Sequence, residues 1–176
     1  MAKNNLAIVA VVLTVSSLCS LAYCADGEKT DIFVEGKVYC DPCRVQFPTR
    51  VSEPIDGATV GLECRSRENG TIMYSLEGKT DKNGIYSLPV DEDFAELICE
   101  VTTVSSPRDD CNDKFADFEK ARVLITTKNG VASMARYANP LGFMKKEAIP
   151  ECKEIIKELF PDEEDMPEEF KEIIEQ

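Results

Sequence analysis

The chain contains no histidine and no tryptophan among its 176 residues. The absence of histidine excludes Ser-His-Asp and Cys-His nucleophile pairs, and it removes the commonest zinc ligand and the usual general base. There is no glycine-rich phosphate-binding loop, and no spacing singles out two of the many carboxylates as an acid–base pair. These absences predict a protein that is not an enzyme, with no cofactor and no bound metal.

Positive charge is also scarce, because 33 aspartate and glutamate residues outnumber 20 lysine and arginine residues and give a formal net charge of −13. An acidic chain without a basic patch is repelled by nucleic-acid phosphates and by anionic membrane surfaces. We therefore expect no nucleic-acid partner.

The only long apolar run lies near the N-terminus, where residues 6–15 form a stretch of about ten apolar or small residues. Lys3 precedes this run and small or polar residues follow it, which is the pattern of a secretory signal peptide. The run is shorter than the roughly 20 apolar residues of a transmembrane helix. We expect cleavage after Cys24, so that residues 1–24 are removed and the mature protein is secreted to the extracellular space without membrane insertion.

Six of the eight cysteines follow residue 24. They are Cys40, Cys43, Cys64, Cys99, Cys111 and Cys152. In an oxidising compartment six thiols indicate three disulfides, although 15 pairings are possible and spacing does not choose among them. The Cys-x-x-Cys pair at Cys40 and Cys43 is an exchange site, a zinc half-site or two anchors of a disulfide framework. We favour the anchors, because exchange needs a thiolate at a helix N-terminus and no histidine completes a zinc site.

Short runs that are rich in apolar residues recur along the chain and predict strands, and those at Thr59, Thr71 and Ile85 alternate with period two. The runs begin at Ile32, Thr59, Thr71, Ile85, Ala95 and Arg122. Turn dipeptides separate many of them, at Asp56-Gly57, Asn69-Gly70, Asn83-Gly84 and Asn129-Gly130. This spacing predicts an all-β sandwich or barrel. Helical spacing appears only in residues 152–160, and the acidic stretch after it predicts a mobile tail.

Two turns carry a further motif. Asn69-Gly70-Thr71 is the one N-glycosylation sequon after residue 24, and it requires an exposed hairpin tip; the alternative is a plain turn without a sugar. The segment that starts at Asp81 opens like a calcium loop but lacks the glycine at the sixth position, so a hairpin turn is favoured there.

The segment before the helix contains Tyr137, Asn139, Pro140, Leu141 and Phe143. It is either an exposed recognition surface or a strap on which the helix packs through Ile155 and Leu159. We favour the strap. For the acidic tail, a solvated segment is favoured over a loose calcium site or a contact with a basic partner.

Several segments together resemble one known family. They are residues 36–44 (GKVYCDPCR), 57–64, 80–86, 121–123 and 136–143 (RYANPLGF), together with all six cysteines. The chain resembles the plant pollen-allergen family of the major olive-pollen allergen, the Ole e I type, and looks closest to its anther- and pollen-expressed branch. It differs from the family at Pro42, where a small polar residue is common, and in its longer acidic tail.

The resemblance implies a β-barrel or sandwich of about seven strands with three disulfides, carried by residues 28–160 and followed by a tail at 161–176. The family's pairing, placed on this chain, is Cys40–Cys111, Cys43–Cys152 and Cys64–Cys99. The resemblance also implies a secreted protein without enzymatic activity, linked to pollen germination and pollen-tube growth and often allergenic.

From these features we expect an extracellular protein partner, such as a receptor ectodomain. The alternative is a structural cell-wall protein that binds polysaccharide, which the absence of tryptophan disfavours.

Overall fold

The structure, a computed structural model, describes residues 32–115 and 119–161. The strands are β1 (Ile32–Asp41), β2 (Glu53–Pro54), β3 (Thr59–Ser66), β4 (Ile72–Lys79), β5 (Ile85–Val90), β6 (Leu97–Ser105), β7 (Cys111–Lys114), β8 (Lys120–Val123), β9 (Ala135–Tyr137) and β10 (Leu141–Lys145). One helix, α1, spans Cys152–Leu159. The expected signal peptide and nearly all of the expected tail lie outside the described residues, so the boundaries at 24, 28 and 160 stay predictions.

Strand β1 is the centre of a six-stranded sheet, and it changes partners halfway along. Its first half pairs antiparallel with β5 and parallel with β9, so that Phe33 lies opposite Pro89 and Ala135. Its second half pairs antiparallel with β2 and parallel with β10, where Cys40 lies opposite Phe143. Strand β7 pairs antiparallel with the far side of β10.

The second sheet has four antiparallel strands in the order β4-β3-β6-β8. Its alternating apolar residues, such as Leu62 and Val101, are fully buried in one cluster with Val34 and Val38 of β1. Burying a branched aliphatic side chain stabilises a fold by about 1.5–3 kcal/mol, so this shared layer holds the two sheets together.

The expected all-β fold with a short C-terminal helix is therefore confirmed as a sandwich of two sheets. The barrel alternative is wrong, because the sheets do not close on each other. Among the described residues the strands number ten rather than about seven, since β2, β7, β8 and β9 are short additions of two to four residues.

Four glycines occupy the expected turns with φ between 70° and 77°, which a residue without a β-carbon adopts most easily. Only the turn at Gly70 joins two paired strands, β3 and β4. The turns at Gly57, Gly84 and Gly130 each lead from one sheet to the other. The hairpin expected at residues 81–84 is therefore wrong. Instead, the Asp81 carboxylate accepts hydrogen bonds from two backbone N–H groups and closes a turn between the sheets.

Helix α1 packs through Cys152 and Ile155 against Val45, Val51 and Ile149, while Leu159 is exposed. The strap expected at Tyr137, Asn139, Pro140, Leu141 and Phe143 is wrong as a support for the helix. Leu141 and Phe143 lie in strand β10 and are buried in the main core, whereas Tyr137 is exposed. Within the described part of the chain, no helix is both long and apolar enough to cross a bilayer.

Candidate functional site

Both cysteines of the Cys-x-x-Cys pair are bonded to distant segments rather than to each other. Cys40 is bonded to Cys111 at the start of β7, and Cys43 is bonded to Cys152 at the start of α1. With the third bond, Cys64–Cys99 between β3 and β6, these are the pairs that the resemblance implies. All six cysteines in residues 32–115 and 119–161 are engaged in disulfides, so none of these six offers a thiolate for exchange.

The segment between the two cysteines is organised by a buried carboxylate. Asp41 has no exposed surface, and its oxygens accept hydrogen bonds from the backbone N–H groups of Cys43 and Gln46, at 2.9 and 2.7 Å. Arg44 and Gln46 have φ of 58° and 63°, in a region that costs a residue with a β-carbon about 1–2 kcal/mol. The Asp41 hydrogen bonds offset that cost. We call residues 40–46 the anchored loop.

Arg44 ties the anchored loop to the strands beside it. Its guanidinium donates to the Asp113 carboxylate of β7 at 3.0 Å and to the carbonyl oxygen of Lys145, the last residue of β10. Both charged residues of the Cys-Asp-Pro-Cys-Arg motif are thus engaged in contacts within the chain, Asp41 in the interior and Arg44 at the surface. The motif is a structural joint between β1, β7, β10 and α1.

The second half of β1, residues 38–41, is covered on both sides. Its inward side chains lie in the main core, and on the outer side Tyr39 is buried with Phe115 and Met144. Gly142 makes room for this outer layer, because a β-carbon there would lie 2.6 Å from the tip of the Phe115 ring. No residue in this half of the strand is exposed.

The outer side of the first half, residues 32–37, is uncovered. The register places Phe33, Glu35 and Lys37 of β1 beside Pro89, Ser87 and Ile85 of β5, and beside Ala135 and Tyr137 of β9. We call these eight residues the open face. Tyr137 is 75 % exposed, Ile85 47 % and Phe33 37 %, although large apolar side chains are usually inside. Tyr137 and Phe33 are diagonal neighbours on one surface, and Glu35 lies beside both of them.

The inner side of the same region is firmly packed. Gly36 lies opposite Tyr86, and a β-carbon added at Gly36 would overlap the Tyr86 hydroxyl, so the glycine accommodates the ring in the core. Burial raises the pKa of Tyr86, because the charged phenolate is not stabilised there. The open face therefore stands on a rigid support, as precise binding sites do.

A buried arginine fixes the strand that carries Tyr137. Arg136 is 5 % exposed, and its guanidinium donates to the Thr126 carbonyl at 3.1 and 2.6 Å and to the Ala135 carbonyl at 3.0 Å, and also to the carbonyl of Ser133. These bonds join β9 to the segment that follows β8. They hold the backbone of Tyr137 while its side chain extends into solvent.

The outer face of the four-stranded sheet is different in character. Glu63 pairs with Arg65 at 2.5 Å, and Glu100 pairs with Lys120 at 3.7 Å. Exposed pairs of this kind contribute about 0–1 kcal/mol each and are compatible with a solvated surface. In the described ranges there is no group of three or more side chains that could hold a metal ion.

Two surface carboxylates elsewhere, Asp110 and Asp81, accept hydrogen bonds from an arginine or from backbone N–H groups. Arg108 donates to Asp110 and Glu53, and its hydrogen bonds keep the pKa of the Asp110 carboxyl well below its usual range. Hydrogen bonds from backbone N–H groups, that of Ile85 first, lower the pKa of Asp81. Both carboxyls are explained by local pairing, and neither is poised for proton transfer at neutral pH.

Asn69 lies at the tip of the β3–β4 hairpin and is exposed. Its side-chain oxygen accepts a hydrogen bond from the backbone N–H of Thr71 at 3.0 Å. The sequon is therefore displayed as an N-glycosylation site requires, at an accessible turn.

The sequence pattern indicated Tyr137 as part of a possible recognition surface but did not indicate Phe33 or Ile85. One signal was present, because Ile32, Phe33 and Val34 are three consecutive apolar residues where a strand with one solvated face should alternate.

These features define a disulfide-bonded β-sandwich in which the Cys-x-x-Cys strand is a framework element and one sheet face carries exposed aromatic residues. The family model described as "Pollen protein Ole e 1 like" matches residues 30–160, and the chain belongs to this family. The resemblance found in the sequence is thereby confirmed.

Individual relatives agree with this assignment. The chain is 46 % identical to the "Olee1-like protein" of Betula pendula, covering 90 % of this chain and 95 % of that protein. It is 47 % identical to the "Anther-specific protein LAT52" of Solanum lycopersicum, covering 84 % and 89 %. The crystal structure of the major plantain pollen allergen Pla l 1 matches with a TM-score of 0.63 at 32 % identity, covering 69 % of this chain and 99 % of that one. These matches support a pollen-related, allergen-like role.

Proposed function

We propose that the protein is secreted and acts outside the cell as a binding protein without enzymatic activity. In this proposal it serves pollen germination or pollen-tube growth by contacting an extracellular protein, such as a receptor ectodomain, through the open face. The observation that carries the proposal is the exposure of Phe33, Ile85 and Tyr137 on one face of the six-stranded sheet. Membership of a family of pollen proteins supports the setting.

The composition of the open face favours a protein partner. Its apolar side chains alternate with the polar residues Glu35, Lys37 and Ser87, and such a mixture of apolar and polar surface is typical of interfaces between proteins that also exist separately. Tyrosine is also enriched among the residues that dominate binding energy. The alternative, a structural wall protein that binds polysaccharide, needs aromatic rings as sugar platforms, and here only Phe33 and Tyr137 supply them.

Secretion is supported by two independent features. The N-terminal residues have the pattern of a signal peptide. Three disulfides join strands and helix, and such bonds persist in oxidising compartments.

The test is affinity capture from pollen and pistil extracts, read by mass spectrometry, with parallel binding to pectin and glucan resins. The variant Phe33→Thr/Tyr137→Thr removes the aromatic surface and keeps the strand preference of β-branched residues. The matched control Glu100→Thr/Arg122→Thr alters a cross-strand pair on the other sheet and leaves the net charge unchanged.

We expect wild type and control to retain the same extracellular protein and the open-face variant to lose it. Retention on resins with no captured protein would support the wall-protein alternative instead. Hydrolysis of wall polysaccharide that disappears on one Asp or Glu substitution would contradict the non-enzymatic proposal.

A further inference from the structure

Strand β4 is an edge of the four-stranded sheet, and within the described residues it pairs only with β3. It is eight residues long. A long strand with one unpaired side presents a row of N–H and C=O groups that can pair with another chain, and secreted proteins must suppress this.

The two halves of this edge are protected unequally. The second half carries the exposed charges of Glu77 and Lys79, which discourage pairing. The first half carries no charge, and Ile72 and Met73 are 46 % and 63 % exposed. The register shifts between Cys64 and Arg65, so that Met73 is the extra residue of a bulge. The bulge twists this end, but it leaves two large apolar side chains in solvent.

The sequon lies beside this unprotected half. Asn69 precedes Ile72 by three residues, and a strand advances about 3.4 Å per residue, so Ile72 and Met73 lie at most about 10–14 Å along the chain from Asn69. The hydrogen bond from Thr71 uses the oxygen of the Asn69 amide, whereas a sugar is attached to its nitrogen. The hairpin is closed by backbone bonds from Ser66 to Thr71 and from Gly70 to Ser66, which a sugar on the side chain leaves intact.

We propose that an N-linked glycan on Asn69 covers Ile72 and Met73 and blocks pairing of the β4 edge with a second copy of this chain. A glycan is bulky and solubilising, which are the properties that an uncharged edge needs. In its attachment the amide nitrogen bonds to the anomeric carbon of a lipid diphosphate-linked oligosaccharide. The bond from that carbon to the diphosphate breaks, and the diphosphate leaves as one amide proton is released. The inference rests on the proposed secretion but not on the open face.

The experiment uses the full mature domain, secreted from a eukaryotic host behind a foreign signal peptide. Wild type is compared with Thr71→Ala, which destroys the sequon and keeps Asn69, and with Thr71→Ser, which preserves the sequon. Intact mass before and after enzymatic deglycosylation reports the glycan. Light scattering during size-exclusion chromatography over a concentration series reports self-association.

We expect wild type and Thr71→Ser to carry a glycan and to remain monomeric. Thr71→Ala and deglycosylated wild type should self-associate with a dissociation constant lower by about tenfold or more, because two exposed apolar side chains become available for burial. Adding Met73→Lys to Thr71→Ala should restore the monomer, since it places a charge on the edge.

Two results would overturn the inference. One is a wild-type protein of unmodified mass, and the other is a deglycosylated protein that stays as monomeric as the glycosylated one. Neither result bears on partner capture by the open face, and loss of that capture with the glycan intact would contradict only the proposed function.

Discussion

The two halves of β1 share one strand but differ in surroundings. Residues 38–41 are covered on both sides, bonded through Cys40 and closed by the buried Asp41. Residues 32–37 are packed on the inner side only and display Phe33 to solvent. The segment by which the sequence is most readily recognised, residues 36–44, therefore mostly serves stability. The region available for recognition is the half strand beside it.

The largest expected loss of stability comes from a substitution in the covered half of β1, residues 38–41. Replacement Asp41→Ala leaves the buried N–H group of Cys43 and the partly buried N–H group of Gln46 without their acceptor, and the loss of a buried partner costs about 1–3 kcal/mol. We expect the free energy of unfolding, measured by urea denaturation, to fall by about 3 kcal/mol or more. Glu35 also lies on the outer side of β1, but in the open half. Glu35→Ala should change the free energy of unfolding by about 0.5 kcal/mol or less. Equal effects from the two substitutions would remove the contrast between the halves.

The second largest loss of stability is expected on the inner side of the open half of β1, at Gly36. Gly36→Ala places a methyl group against the Tyr86 hydroxyl in a packed core, which costs about 1–3 kcal/mol. The Tyr86 oxygen has no hydrogen-bond partner within the described residues, so Tyr86→Phe alone should be close to neutral. Combined with Gly36→Ala it should recover part of the loss in a double-mutant cycle. If the two changes in the free energy of unfolding simply add, the residues at positions 36 and 86 are not in contact.

The two buried tyrosines, Tyr39 and Tyr86, should make the free energy of unfolding depend on pH in the alkaline range. Burial, and for Tyr39 also the charge of Asp41, raises the pKa of Tyr39 and Tyr86 above the usual value of about 10. The folded state then binds more protons than the unfolded state above that pH. Stability is complete below pH ~10 and falls as the pH rises, by at most about 1.4 kcal/mol per unit for each tyrosine. Ultraviolet titration should show these phenols ionising together with unfolding, and Tyr86→Phe should reduce the slope.

The smallest effect on stability is expected on the open face itself. Tyr137 is 75 % exposed, so Tyr137→Thr should change the free energy of unfolding by about 0.5 kcal/mol or less in urea denaturation. The same variant should lose partner capture. A large loss of stability would mean that Tyr137 is part of the framework.

Much of the fold followed from the sequence because β1, β3, β4, β5 and β6 have apolar runs or alternation long enough to detect, and Pro150 and Pro161 bracket α1. Strand β7 reads CNDK, with only its cysteine buried, so no local pattern marks it. Strands β9 and β10 pair parallel with β1, and such pairing is set by tertiary packing rather than by a nearby turn. Strand β8 begins at Lys120, two residues before the expected start at Arg122, and it ends at Val123, where its pairing with β6 stops.

The candidate site was less accessible to sequence reasoning. Spacing left the disulfide pairing open, and the family pattern supplied it. The exposure of Phe33 depends on which elements cover β1, and that is decided by residues far away, such as Phe115 over the second half. The turn at Gly84 is a similar case. Its sequence predicts a turn but does not predict which sheet the next strand joins.

The most direct test of the account is hydrogen–deuterium exchange on the protein, free and bound to the extracellular protein recovered by capture. We predict added protection in residues 32–37, 85–90 and 135–137, which form the open face, with no change in the anchored loop at residues 40–46. Protection of the anchored loop or of the four-stranded sheet, with the open face unchanged, would contradict it.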